Sequence, residues 1–312
     1  MNADGAVWTS TNGVEIRDLV PARDRRAWVE QGLCPGRDLH TLFREQVRSH
    51  PGRAAVIDPA GTLTYADLDA EVRRIAALFA GAGLTERDIV ALRLPNGRRA
   101  VAAELAVAAI GAVALPYPAG HGSRDTLSLL GRSRARAAVF ADPADVELRA
   151  KLPDLREVWT CGEGRPDARS LDADPAVGEA APGWEPRPID PRAPARILVS
   201  SGSESEPKMV AYSHDAFAGG RASYVRALHD GNGPMRNLML AQLSSSYGSL
   251  GTYVTIAALG GTLLIPDSVH PAAVLRMITE HRPTHVFGVP TLLRRMADHP
   301  ALPGEDLTSL RA

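Results

Sequence analysis

Apolar runs alternate with helix-spaced apolar positions along most of the chain. The short apolar runs predict strands at Ala54–Ile57, Ile89–Leu94, Ala112–Leu115, Ala137–Ala141, Ile197–Ser200, Asn237–Leu243, Thr262–Ile265 and His285–Val289. The helical spacing predicts helices at Leu39–Ser49, Tyr65–Ala82, Arg98–Ile110, Arg124–Arg134, Asp215–Leu228, Ser249–Leu259, Pro271–His281 and Thr291–Ala297. Thr64 with Asp67 is a cap signal for the second of these helices. Such alternation argues for an α/β fold of mainly parallel, helix-covered sheets. Two lobes are expected, residues 39–162 and 197–312, after an N-terminal arm at 1–38. Residues 163–196 are dense in Pro and Gly and lack periodicity, so they read as an irregular connector.

The most apolar run, Ala100–Leu115, is Ala-rich and interrupted by Glu104. It is too short and too weakly apolar for a bilayer span, so it predicts a buried helix leading into a strand. No membrane partner is expected. The first residues carry no positive-then-apolar leader, and a cytoplasmic setting is expected. With 45% hydrophobic and 23% charged residues, 312 residues can bury a substantial core. The formal net charge of −1 gives no electrostatic reason to bind nucleic acid. The nine histidines lack metal-ligand spacing, and no metal site is assigned. Cys34 and Cys161 make no disulfide framework.

One loop carries chemistry. The apolar strand from Ile197 runs into Ser200-Ser201-Gly202-Ser203-Glu204-Ser205-Glu206-Pro207-Lys208, and a second apolar segment follows. Several hydroxyls, backbone N–H groups and one ammonium can face a phosphate chain there. No Gly-Lys-Ser/Thr is present, so this is not a Walker A loop. The plain alternative is a serine-rich surface turn.

The loop resembles the phosphate loop of the adenylate-forming superfamily, with the pattern Thr/Ser-Ser-Gly-Thr/Ser-Thr-Gly-x-Pro-Lys-Gly. Ser200, Ser201, Gly202, Ser203, Pro207 and Lys208 match it; Glu204, Ser205 and Met209 depart from it. Further landmarks resemble the family in order: Leu63-Thr64-Tyr65-Ala66-Asp67-Leu68, Leu94-Pro95-Asn96, Gly111-Ala112 through Pro116, Gly260-Gly261-Thr262 and Gly288-Val289-Pro290-Thr291. An arm with Trp28 and Gly32 before Leu39 is similar to that of aryl-acid activating members.

The resemblance implies attack of a carboxylate on the α-phosphorus of Mg-ATP, release of pyrophosphate, and transfer of the acyl group to a thiol. It implies ATP and Mg2+ as cofactors and CoA as the acceptor, with a carrier protein as the alternative. Ser200, Ser201 and Ser203 would donate to phosphate oxygens, Gly202 would allow close approach, and Lys208 would supply the catalytic charge. Glu204 stands where a carboxylate would repel phosphate, hold magnesium or signal weakened ATP use.

Gln242-Leu243-Ser244-Ser245-Ser246-Tyr247-Gly248 matches the family stretch beside the acid pocket. Ser245, Tyr247 and Gly248 are the substrate-side candidates. The stretch offers no carboxylate for an α-ammonium group, which favours an aryl or short acyl acid over an amino acid. A serine-capped helix start is the plain alternative. His214 is assigned a structural role. The magnesium Glu, the ribose Asp and the small C-terminal domain with its Lys have no counterpart here. The expectation is therefore a truncated N-terminal portion of an acid–thiol ligase, inactive alone. A degenerate member that binds nucleotide or a partner without turnover is the further alternative.

Overall fold

The computed structural model describes residues 6–173, 185–200, 207–229 and 231–312. In chain order the strands are β1 (Val7–Thr9), β2 (Glu15–Arg17), β3 (Ala54–Asp58), β4 (Gly61–Thr64), β5 (Ile89–Arg93), β6 (Val113–Pro116), β7 (Ala137–Phe140), β8 (Glu157–Thr160), β9 (Arg169–Ser170), β10 (Pro194–Val199), β11 (Met209–Ser213), β12 (Arg236–Met239), β13 (Thr262–Leu264) and β14 (His285–Phe287). The α-helices are α1 (Ala22–Glu30), α2 (Leu39–Ser49), α3 (Tyr65–Gly81), α4 (Arg98–Ala109), α5 (Ser123–Ser133), α6 (Ala222–Ala227), α7 (Pro271–His281) and α8 (Pro290–Ala297).

Two large sheets form. One has seven strands in the order β11-β10-β6-β5-β7-β8-β9, and the other has five in the order β14-β12-β13-β3-β4. All pairings within them are parallel except β10–β11 and β3–β4. The expected mainly parallel α/β fold is therefore present. The lobe division at 39–162 and 197–312 follows the chain, whereas the sheets interleave. Strands β10 and β11 extend the sheet begun by β5–β9, and β3 and β4 join the sheet of β12–β14. β3 finds a parallel neighbour in β13 rather than in β5.

Period-two alternation serves layers on both faces of each sheet. Val90 and Leu92 face the central core, while Ile89 and Ala91 face an outer core with Leu129 and Leu130 of α5. Leu263 faces the central core and Leu264 faces a third cluster with α7 and α8. Helices α2, α3 and α4 fill the space between the sheets, with the helix Gly251–Ala258. α4 is buried from Val101 to Ala109. Its alanines let neighbours approach closely, which is why the run Ala100–Leu115 is a core helix leading into β6. The expected cap is present: Thr64 Oγ1 accepts from the Asp67 N–H at 3.1 Å, and Asp67 Oδ2 accepts from the Thr64 N–H at 3.1 Å.

Two expected α-helices are wider. Ala216–Arg221 and Gly251–Ala258 are π-helical, with the Leu259 N–H donating to the Val254 carbonyl five residues back at 3.0 Å. Insertions of this kind cluster at functional sites. The N-terminal arm is ordered into the β1–β2 hairpin and α1.

His40 and His214 are buried where α2 begins, and His214 Nδ1 accepts from the Leu39 N–H at 3.2 Å. Burial first, against the pull of Asp38, lowers both imidazoles from 6.5 to about 4. Between those values the unfolded chain binds protons that the folded chain refuses. Stability is complete above 6.5 and falls as the pH drops towards 4. The pair, titrating together, is expected to cost roughly 2–4 kcal/mol between pH 7 and pH 5. Urea unfolding at the two pH values checks this; His214→Gln should flatten the slope.

Candidate active site

A cleft of about 1080 Å³ opens at the carboxyl ends of parallel strands from both sheets. Pro118 follows β6, Val199 and Ser200 end β10, Leu240–Gln242 follow β12, and Val289 follows β14. This is where open α/β sheets place their ligands. Each strand end brings a loop whose backbone groups have left the ladder, so polar groups converge there without breaking a sheet.

The phosphate-loop candidate spans the turn of the β10–β11 hairpin. Its base is closed by the Ser200 N–H donating to the Lys208 carbonyl at 2.9 Å and the Lys208 N–H donating to Ser200 Oγ at 3.3 Å. Arg132 of α5 donates to the Pro207 carbonyl at 2.9 Å and ties the hairpin to the cleft wall. Ser200 and Pro207 line the cleft. Lys208 is exposed just beyond the lining, and its ammonium has no hydrogen-bond or ion-pair partner among the described residues. Ser201, Gly202 and Ser203, with Glu204, lie outside the described residues.

Gln242 to Tyr247 forms a second wall. Ser245 Oγ donates to the Gln242 carbonyl at 2.7 Å and accepts from the Gly248 N–H at 2.9 Å, so the turn closes on itself. Tyr247 packs on Phe287 with ring centroids 5.9 Å apart and is 37% exposed, which leaves an aromatic face for the cleft. Gly248 lies behind the lining; a Cβ there would sit 1.8 Å from the Gln242 carbonyl oxygen. Ser200, Ser245 and Tyr247 thus share one cleft, Gly248 permits its turn, and the Lys208 backbone closes the hairpin beside Ser200.

Three side chains hold this turn from behind. Asn96 donates to the Ala241 carbonyl at 2.9 Å and accepts from the Leu243 N–H at 2.8 Å. Arg196, fully buried, pairs with Glu104 and donates to the Leu243 and Ser245 carbonyls at 2.7 and 3.2 Å. Arg221, over the Tyr212 ring at 4.9 Å, donates to the Ser246 carbonyl at 2.9 Å. Burial pushes the Glu104 carboxyl up from its ordinary value, and Arg196 opposes that shift.

Sequence reasoning missed these roles. Asn96 was visible only as part of a turn, and Glu104 only as a break in an alanine run. Arg196 fell one residue outside the expected strand. The third wall was also missed: His121, Arg124, Asp125 and Ser128, from α5 and the loop before it. Arg93 places that loop by donating to the Ala119 carbonyl at 2.8 Å and the His121 carbonyl at 2.5 Å. Arg124 has no side-chain partner among the described residues, and no side chain caps the N-terminus of α5. Asp125 gives the cleft a carboxylate that the Gln242–Gly248 stretch lacks. It is exposed and adjacent to Arg124.

A second cavity of about 520 Å³ lies beneath the β1–β2 hairpin. Its Arg25 and Arg192 are already paired with Asp18 and Asp190, and no described residue of the phosphate loop lines it.

The family model described as AMP-binding enzyme matches residues 43–312. The chain belongs to the AMP-binding enzyme family. This AMP-binding chain is 30% identical over 294 residues to triostin synthetase I of Streptomyces triostinicus, covering 90% of the chain and 53% of that protein. It is 30% identical over 302 residues to the salicyl-AMP ligase / salicyl-S-ArCP synthetase of Mycobacterium tuberculosis, covering 89% of the chain and 51% of that protein. Among solved structures it is similar to the amide bond synthetase McbA from Marinactinospora thermotolerans, with TM-score 0.72 and 30% identity over 88% of this chain and 53% of that one. It is also similar to apo MbtA of Mycobacterium smegmatis, with TM-score 0.78 and 25% identity over 93% of this chain and 59% of that one. The chain spans about half the length of the curated relatives it matches.

AMP-binding enzymes imply ATP and magnesium. The donors that line the cleft fit a phosphate chain: the Arg124 guanidinium and the uncapped N–H groups opening α5, with Lys208 next in the chain to the lining residue Pro207. Among the described residues no group of three or more His, Cys, Asp or Glu stands together to hold a metal ion. No ligand for magnesium is assigned. No helix of the described residues is long and apolar enough to cross a membrane.

Proposed function

We propose that this chain is the portion of an aryl-acid adenylating enzyme that binds the nucleotide phosphates and the acid. One observation carries the reading: the stem of the phosphate hairpin and the Ser245–Tyr247 wall line a single cleft. A carboxylate against Tyr247 would lie between the aromatic face and the hairpin. Its oxygen would attack the α-phosphorus of ATP, and the bond to pyrophosphate would break. Lys208 and Arg124 would offset charge on that leaving group. ATP supplies the adenylyl group.

The acceptor is assigned to a carrier-protein thiol. This reverses the preference for CoA drawn from sequence. A salicyl-AMP ligase / salicyl-S-ArCP synthetase among the relatives, 30% identical, supports it. Small serines beside one aromatic side chain support an aryl acid over an amino acid. Among the described residues that line the cleft, Asp125 is the one carboxylate that could pair an ammonium, but it stands in solvent beside Arg124.

The test is acid-dependent ATP–pyrophosphate exchange by the protein that carries this chain, with salicylate, benzoate, hexanoate and L-phenylalanine compared. An aryl acid is expected to lead; a lead by L-phenylalanine would overturn the reading. Lys208→Ala is expected to raise the apparent KM for ATP roughly ten- to a hundred-fold, the value of one charge-assisted hydrogen bond. An unchanged KM would remove Lys208 from the phosphate site.

A further inference from the structure

We infer that Arg196 is a positioning residue that fixes the acid-side turn in register with the phosphate hairpin. The inference rests on reading Ser245–Tyr247 as the acid wall. Arg196 and Ser200 lie on one strand and its end, about 13 Å apart at the rise of an extended chain. β10 is held by hydrogen bonding on both sides, parallel to β6 and antiparallel to β11. The strand therefore carries the hairpin at one end and the guanidinium that grips the turn near the other. The two halves of the cleft share one rigid element.

The chemistry requires an arginine. The Leu243 and Ser245 carbonyls and the Glu104 carboxylate all meet one guanidinium. A planar fork with five donors can serve three acceptors in fixed directions; a lysine ammonium offers only one point. Glu104 is itself held in place. It lies midway along buried α4, and Tyr253 of the helix Gly251–Ala258 donates to its carbonyl at 3.1 Å. Asn96 and Arg221 hold the turn at Ala241, Leu243 and Ser246. None of these three side chains lines the cleft. They act on its shape alone.

Stability does not explain the pair. Apolar residues of similar volume usually replace a buried ion pair at little or no cost in stability. What they cannot replace is the two hydrogen bonds to the turn. That contrast supplies the experiment. In Glu104→Leu/Arg196→Met the pair becomes apolar, and the melting temperature is expected to stay near that of the parent. Amide hydrogen exchange at Ser245–Ser249 is expected to rise about ten-fold or more, with β5–β7 unchanged. The Kd for salicylate is expected to rise about ten-fold while that for ATP stays within about two-fold.

Should this pair fail to fold, Arg196→Lys keeps the charge beside Glu104 without the fork, and the same local rise is expected. Unchanged exchange in the turn would overturn the inference. So would a uniform rise through both sheets, which marks support of the whole fold. A local rise in a protein whose parent binds no salicylate would uphold the positioning role and overturn the acid reading.

Discussion

Glu104→Ala is expected to destabilise the fold by about 3–5 kcal/mol, because it strands a guanidinium in the core. Arg196 is fully buried and Glu104 is 3% exposed, so water reaches neither. Alanine is the best helix former, and the loss cannot come from α4 itself. Glu104→Gln removes the charge but keeps an acceptor, and it is expected to cost less, about 1–3 kcal/mol. Urea unfolding at pH 7 ranks the two. A glutamine variant as unstable as the alanine variant would mean that packing at this position outweighs the charge.

Gly248→Ala carries the second large effect. Its new Cβ would lie 1.8 Å from the Gln242 carbonyl oxygen and 2.7 Å from Leu243 Cα. Both obstacles are backbone, and Asn96 and Arg196 fix that backbone on either side. The turn therefore cannot yield by rotating a side chain. A cost of at least about 3 kcal/mol is expected, the upper end of overpacking penalties. Gly251→Ala is the control, because its Cβ would meet the Leu243 side chain at 2.9 Å, which can rotate. It is expected to cost about 1 kcal/mol. Thermal unfolding separates them, and equal costs would contradict the close approach at Gly248.

Much of the fold was legible because burial imposes period. α2 and α7 have the expected bounds, Leu39–Ser49 and Pro271–His281, since each presents a single apolar stripe. α4 and β6 were legible as one buried run because both are covered on all sides. What escaped depends on contacts far apart in the chain. β11 exists through pairing with β10, and its alternation is weak, with Val210 exposed. In the π-helical segment Gly251–Ala258, Thr255 Oγ1 accepts from the Asn237 side chain of β12 at 2.8 Å and donates to the Leu250 carbonyl at 2.8 Å inside the core. No local pattern encodes that.

The site divides in the same way. Ser200, Ser245, Tyr247 and Gly248 are candidates because their segments resemble family stretches, and the structure brings the first three into one cleft. Arg196 and Glu104 are 92 positions apart, and only the folded sheet brings them together. A charged residue beside an apolar strand and a lone carboxylate in an alanine run were the available signals. The wall of Arg124 and Asp125 gave none, because charged residues at the start of a helix are common.

The account stands or falls on one cleft holding both the acid and the nucleotide. Hydrogen exchange of the 312-residue chain, with and without salicylate together with α,β-methylene-ATP, measures this directly. The account expects protection of the hairpin stem at Val199–Ser200 and Lys208–Met209 together with Gln242–Gly248. Protection confined to the residues beneath the β1–β2 hairpin, or none in Gln242–Gly248, would contradict it.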